Sequence, residues 1–157
     1  MTKHLHVLPE CYADTLLVNR LIQSTTNHKH SISKVFKALK ETFKNEKAIA
    51  IIDDDKKKDY YFDSFKLVKE SPHFRYMAHS NGMHFIIAIK GGGIEKLILH
   101  CAKEVEYEHP LLLDFDKLKS KSKSINEDVE VREIIIKLIQ KKAPTLMEIR
   151  KILLQHI

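Results

Sequence analysis

Two apolar runs constrain the fold of this chain most strongly. Residues 48–52 read Ala-Ile-Ala-Ile-Ile and stop at three aspartates, and residues 85–89 read Phe-Ile-Ile-Ala-Ile before Lys90 and three glycines. Short runs that are apolar at every position are typical of strands buried on both faces of a parallel sheet. Because a parallel sheet needs helices over its faces, the two runs predict an α/β fold.

The segments around these runs predict further strands and helices. Before the first run, we expect a strand near residues 3–9, a helix over 14–23, a short strand at 27–30 and a helix from Ser33 to 43. After it, we expect a loop with a short helix over 56–71, a hairpin around Asn81-Gly82 with arms 73–79 and 83–90, and a helix over 94–103. The outer face of the second helix is rich in lysine and is expected to be solvated.

The character of the chain changes beyond residue 105. Alternating lysine and serine over 117–124 predict a basic linker, and two helices are expected over 127–142 and 146–156. Their starts fit the capping-box spacing, Ser124 with Glu127 and Thr145 with Glu148. At 157 residues, the chain is expected to form a single domain, 1–157, whose core of about 3–104 carries a helical C-terminal appendage over about 105–157.

Composition limits the partners and the compartment. Lys and Arg number 27 against 21 Asp and Glu, a net charge of +6 that permits a polyanionic partner such as nucleic acid. Nearly all of the positive charge is lysine, which favours phosphate contact over base reading. The amino terminus lacks the apolar run of a signal peptide, and no stretch is long and apolar enough for a membrane span. We therefore expect a soluble, cytoplasmic protein.

Acidic residues follow two of the predicted strands. Glu10 and Asp14 come after the first strand, and Asp53 to Asp55 come after the run at 48–52. In open α/β sheets, ligands bind at the carboxyl ends of the strands, so these carboxylates are expected to converge. Asp53 and Asp55 are two apart in an extended chain and can point to the same side. With Glu10 they would offer oxygen ligands to Mg²⁺ or Mn²⁺.

These motifs resemble the toprim fold, the catalytic module of topoisomerases, bacterial primases and OLD-family nucleases. The resemblance rests on Val7-Leu-Pro-Glu-Cys-Tyr-Ala-Asp14 and on Ile49-Ala-Ile-Ile-Asp-Asp-Asp55 and covers roughly residues 3–104. It implies a Rossmann-like, mostly parallel sheet flanked by helices. It also implies that Glu10 is a metal ligand or general acid/base and that Asp53 and Asp55 are Mg²⁺ ligands. The family usually has Gly after this Glu, where this chain has Cys11.

Four further residues are candidates for supporting roles. Asp14 is expected to assist the acid, Lys56 to grip phosphate, Gly92 to offer backbone amides and Lys90 to balance charge. The pair Tyr60-Tyr61 suits either base stacking or core packing.

The expected function is metal-dependent processing or binding of nucleic acid, with nuclease-like phosphodiester hydrolysis as the chemistry. Two alternatives stay open. One is a non-catalytic, toprim-like regulatory protein that senses nucleic acid or docks a protein partner through its basic linker and C-terminal helices. The other is a receiver-like phosphoacceptor switch, because Glu10, an aspartate after a strand and Lys90 at a later strand end also fit that geometry.

Overall fold

The computed structural model describes residues 6–10, 12–22, 31–54, 59–123 and 128–157, with the backbone alone at 12 and 13. Its strands are β1 (His6–Pro9), β2 (Ala48–Asp53), β3 (Phe65–Glu70), β4 (Phe74–His79) and β5 (His84–Ile89). Its α-helices are α1 (Tyr12–Ile22), α2 (Ile32–Lys40), α3 (Gly93–Glu104), α4 (Phe115–Ser122), α5 (Val129–Gln140) and α6 (Pro144–Leu154), and two 3₁₀ helices span Tyr60–Ser64 and Pro110–Leu113. In these ranges, no helix has the length and apolar character needed to cross a membrane.

The described strands form one mixed sheet in the order β1-β2-β5-β4-β3. β1, β2 and β5 are parallel neighbours, whereas β4 pairs antiparallel with both β5 and β3. The expected parallel sheet is therefore limited to three strands. The Asn81-Gly82 hairpin between β4 and β5 is confirmed, and Gly82 has the positive φ of 71° that a tight turn favours.

β3 lies where the sequence predicts a loop with a short helix. Only Phe65 of its six residues is buried, and the other five are exposed. β3 is an edge strand, paired on one side by β4, so it carries little of the apolar alternation that marks a strand in a sequence.

The two apolar runs are buried on both faces of the sheet, as predicted. On one face, Ile49, Ile51 and Ile87 pack with residues of α1, α3, α5 and α6. On the other face, Ala50 and Ile52 pack with α2. Helices therefore cover both faces, and the α/β class is confirmed.

Residues after 105 are integrated into the first of these cores. α4 occupies most of the segment for which a basic linker is predicted, and its Leu118 is fully buried. Ser122 is also buried and donates a hydrogen bond to Glu95 of α3 at 2.7 Å. α5 and α6 place the buried Ile134 and Leu153 in the same core.

Several helix starts differ from the sequence prediction. Ser31, not Ser33, caps α2 by accepting the Lys34 N–H. Asp128 caps α5, and α6 begins at Pro144, so Thr145 lies inside the helix. The short strand at 27–30, Ser124 and Glu127 lie outside the described residues.

Candidate functional site

Glu10 and Asp53 meet at the carboxyl ends of two neighbouring parallel strands. Glu10 directly follows β1, and its N–H donates to the Ile51 carbonyl of β2 at 3.0 Å, which extends the ladder by one residue. Its side chain then turns to Asp53, the last residue of β2, whose backbone N–H donates to Glu10 Oε2 at 3.0 Å. Glu10 is only 3% exposed. The structure thus brings together two of the three residues that the sequence predicts as metal ligands.

The Asp53 carboxylate lies against the first residue of α3. A Cβ built on Gly93 would be 2.8 Å from Asp53 Oδ1 and 3.0 Å from Oδ2, so only a glycine allows this approach. Gly91, Gly92 and Gly93 all have positive φ angles, of 66°, 103° and 77°, and Gly92 is the N-cap of α3. The carboxylate is therefore close to the end of the helix that carries its unpaired N–H groups and positive dipole.

Asp14 lies in the first turn of α1, four residues after Glu10. Its side chain is 1% exposed. An acid in a helix's first turn interacts favourably with the helix dipole, which helps to offset the cost of burying it.

An ion-pair network borders the site on the β4 side. Arg75 of β4 places Nη1 3.3 Å from Asp54 Oδ2 and Nε 3.4 Å from Glu70 Oε1. Lys90 Nζ contacts the same Glu70 oxygen at 2.6 Å. Lys90, and to a smaller extent Arg75, hold the pKa of the Glu70 carboxyl below its ordinary value. Lys90 thus balances the charge of Glu70, whereas the sequence prediction placed it with the aspartates.

Arg75 and Glu70 are absent from the sequence prediction. Neither residue belongs to a motif: Glu70 lies on β3, the strand that the sequence did not predict, and Arg75 lies on β4. Their partnership follows from sheet register, because Glu70 and Arg75 are paired across β3 and β4. Predicting this edge strand from the sequence would have placed Glu70 opposite Arg75.

Asp55 and Lys56 lie outside the described residues, as does Cys11. Within the described ranges, no group of three or more His, Cys, Asp or Glu side chains is arranged to hold a metal ion. Glu10 and Asp53 are two carboxylates, a donor type that suits Mg²⁺ and Mn²⁺.

The resemblance to toprim proteins rests on the two short motifs that contain Glu10 and Asp53. The structure adds the contact between these two residues. Comparisons with protein-family models, curated proteins and solved structures found no match to the chain.

Proposed function

We propose that this protein is a toprim-like, cytoplasmic, metal-dependent protein that processes nucleic acid by phosphodiester hydrolysis. The proposed ligands of Mg²⁺ or Mn²⁺ are Glu10, Asp53 and Asp55. The observation that carries the proposal is the Glu10–Asp53 contact at the carboxyl edge of the parallel strands, directly beside the start of α3. The Asp53 carboxylate beside the start of α3, with the Glu10 carboxylate on the Asp53 N–H, would provide for a divalent cation, and the N–H groups at the start of α3 would provide for a phosphate.

The residues of the chain would divide these tasks. The backbones of Glu10 and Asp53 are held by neighbouring strands, the Glu10 carboxylate accepts the Asp53 N–H and the Asp53 carboxylate lies against Gly93, which supports a site formed before any ligand binds. A Cβ on Gly91 would meet nothing within 4 Å, so the backbone just before α3 is open there and permits close approach of a phosphate oxygen, whereas the Lys96 side chain covers Gly92. When bound, the cation would neutralise phosphate charge and make an activated water available near neutral pH.

The contacts of Lys90 favour this function over a receiver-like switch. A switch of that kind would direct the lysine ammonium towards the phosphoacceptor aspartate, whereas here Lys90 Nζ contacts Glu70 at 2.6 Å. A non-catalytic, nucleic-acid-binding role is the second candidate. It is favoured by the finding that, over the described ranges, the carboxylates form no group of three around a common point.

Cleavage of labelled single-stranded and duplex oligonucleotides tests the proposal. We expect hydrolysis by the wild type with Mn²⁺ or Mg²⁺, none with EDTA, and loss of activity in Glu10→Gln, Asp53→Asn and Asp55→Asn. Asp63→Asn is the matched control, because it also removes one negative charge but changes an exposed residue of a 3₁₀ helix. Equal cleavage by all variants would refute the site. Binding without metal-dependent cleavage would establish the non-catalytic role.

A further inference from the structure

The outer face of α2 presents lysines to solvent. Val35, Phe36, Ala38 and Leu39 form the buried face against the sheet, so the intervening positions point outward. Lys34 and Lys37 are exposed there, and residues 32–40 contain no acidic side chain. The exposed Glu41 follows directly at the C-cap. Lys34 and Lys37 thus give the exposed face of α2 a positive charge, whereas Lys40 is paired with Asp59.

An exposed aromatic ring is fixed beside this face. Tyr60 is 75% exposed, and Lys40 Nζ lies 4.5 Å from its ring centroid. Lys40 is itself held by Asp59 at 2.9 Å, and the other Asp59 oxygen accepts the Tyr61 N–H. The Tyr60 ring is therefore anchored to α2 on one side by a cation–π contact.

The neighbours of Tyr60 turn inward and leave its ring at the surface. The Tyr61 hydroxyl contacts His84 Nδ1 at 2.6 Å, and the Phe62 ring packs edge-on against Phe36 at 6.3 Å. The sequence left both tyrosines open between stacking and packing, and the structure divides them: Tyr61 packs and Tyr60 is exposed. Burial therefore does not account for the aromatic ring of Tyr60.

We infer that Lys34, Lys37 and Tyr60, with Lys40 fixing the Tyr60 ring, form a binding surface for single-stranded nucleic acid, here called the basic-aromatic surface. Lysine ammonium groups neutralise successive phosphates without reading sequence. The ring of Tyr60 offers a platform on which an unpaired base can stack, and such a base is accessible in a single strand but not inside a duplex. The inference rests on the proposed function in taking nucleic acid as the ligand.

The basic-aromatic surface and the Asp53 carboxylate lie on opposite faces of the sheet. α2 packs on the sheet face that contains Ala50 and Ile52. Asp53 alternates with Ile52 along β2 and approaches α3 on the opposite face. Strand binding at α2 therefore does not require the Asp53 carboxylate, and an assay in EDTA measures it without a metal ion.

Fluorescence anisotropy of a labelled oligothymidylate in EDTA tests the inference. Tyr60→Ala is expected to weaken binding by about 5- to 150-fold, the equivalent of one lost base stack, while Tyr60→Phe retains the ring and the affinity. Lys34→Gln/Lys37→Gln is expected to reduce the slope of log affinity against log salt by about 1.4, since each phosphate contact on a single strand contributes about 0.7.

The matched control is Lys141→Gln/Lys151→Gln, which removes the same charge from exposed positions after α5 and on α6. We expect it to bind as the wild type does, and a duplex of the same length to bind more weakly. Thermal unfolding of each variant checks that the fold is retained.

Two results would overturn the inference: no binding by the wild type, or equal binding by the wild type, Tyr60→Ala and the α2 lysine variant. Neither result bears on metal binding by Glu10 and Asp53, which is measured without nucleic acid. Conversely, the wild type could bind the oligonucleotide, lose that binding in Tyr60→Ala, and yet never cleave it. That result would support the binding surface and contradict the proposed hydrolytic activity.

Discussion

Gly93→Ala is expected to destabilise the protein more than Gly91→Ala, because only the former pushes a methyl group into a carboxylate. Both glycines have left-handed φ angles, +77° and +66°, so each substitution carries a similar backbone penalty of about 1 kcal/mol. A Cβ on Gly91 would meet nothing within 4 Å, whereas on Gly93 it would lie 2.8 Å from Asp53 Oδ1.

The clash at Gly93 can be relieved only by moving groups that the fold holds in place. The Asp53 backbone is fixed in β2, which pairs with β5 at this position. Either the carboxylate rotates away from α3 or the start of the helix moves. Overpacking of this kind costs about 1–3 kcal/mol, which gives a total of about 2–4 kcal/mol for Gly93→Ala. Replacing Asp53 with Ala removes the clash, so the two substitutions should show a coupling energy of about 1–3 kcal/mol.

Urea denaturation measures these free energies of unfolding. The proteins needed are the wild type, the single variants Gly91→Ala, Gly93→Ala and Asp53→Ala, and each glycine variant combined with Asp53→Ala. Gly91→Ala serves as the control for backbone strain and should be additive with Asp53→Ala. The reasoning is refuted if Gly93→Ala and Gly91→Ala cost the same, or if the cost of Gly93→Ala is unchanged when Asp53 is Ala.

Two further predictions concern buried polar groups. Burial, with a smaller contribution from Lys47, lowers the pKa of His156 from 6.5 to about 4. The neutral His156 side chain therefore contributes its full stabilisation of the folded protein above pH 6.5, and this contribution is lost as pH falls towards 4. Between pH 7.5 and pH 5 the wild type should therefore lose about 2 kcal/mol more stability than His156→Gln, as measured by urea denaturation at each pH, and parallel pH profiles would contradict this. Ser122→Ala should lower the free energy of unfolding by about 1–3 kcal/mol, because it removes the buried hydrogen bond to Glu95. Ser120→Ala, at an exposed position of the same helix, should leave stability unchanged, and equal thermal midpoints for the two variants would contradict the prediction.

The parts of the fold that can be predicted from the sequence are those whose burial shows as a local pattern of apolar residues. The runs at 48–52 and 85–89 are apolar at every position, and they form the two central parallel strands. Because both acids come directly at strand ends, the approach of Glu10 to Asp53 could be predicted from the topology of parallel strands alone.

The remaining features depend on partners distant in the sequence. β3 is exposed along most of its length and pairs at one edge, so its residues lack a strand pattern. The lysine and serine repeat at 117–124 resembles a linker, but Leu118 and Ser122 lie four apart and form the buried side of α4. The contacts of Arg75 with Asp54 and Glu70 arise from sheet register, which no short motif encodes.

Calorimetric titration of Mn²⁺ and Mg²⁺ into the purified protein tests the central claim most directly. It addresses the carboxylate site without requiring a known substrate, and it should be run with and without a single-stranded oligonucleotide. We expect saturable binding by the wild type, its loss in Glu10→Gln and Asp53→Asn, and its retention in Asp63→Asn. Absence of binding up to millimolar metal under both conditions, or equal binding by all four proteins, would contradict the metal site.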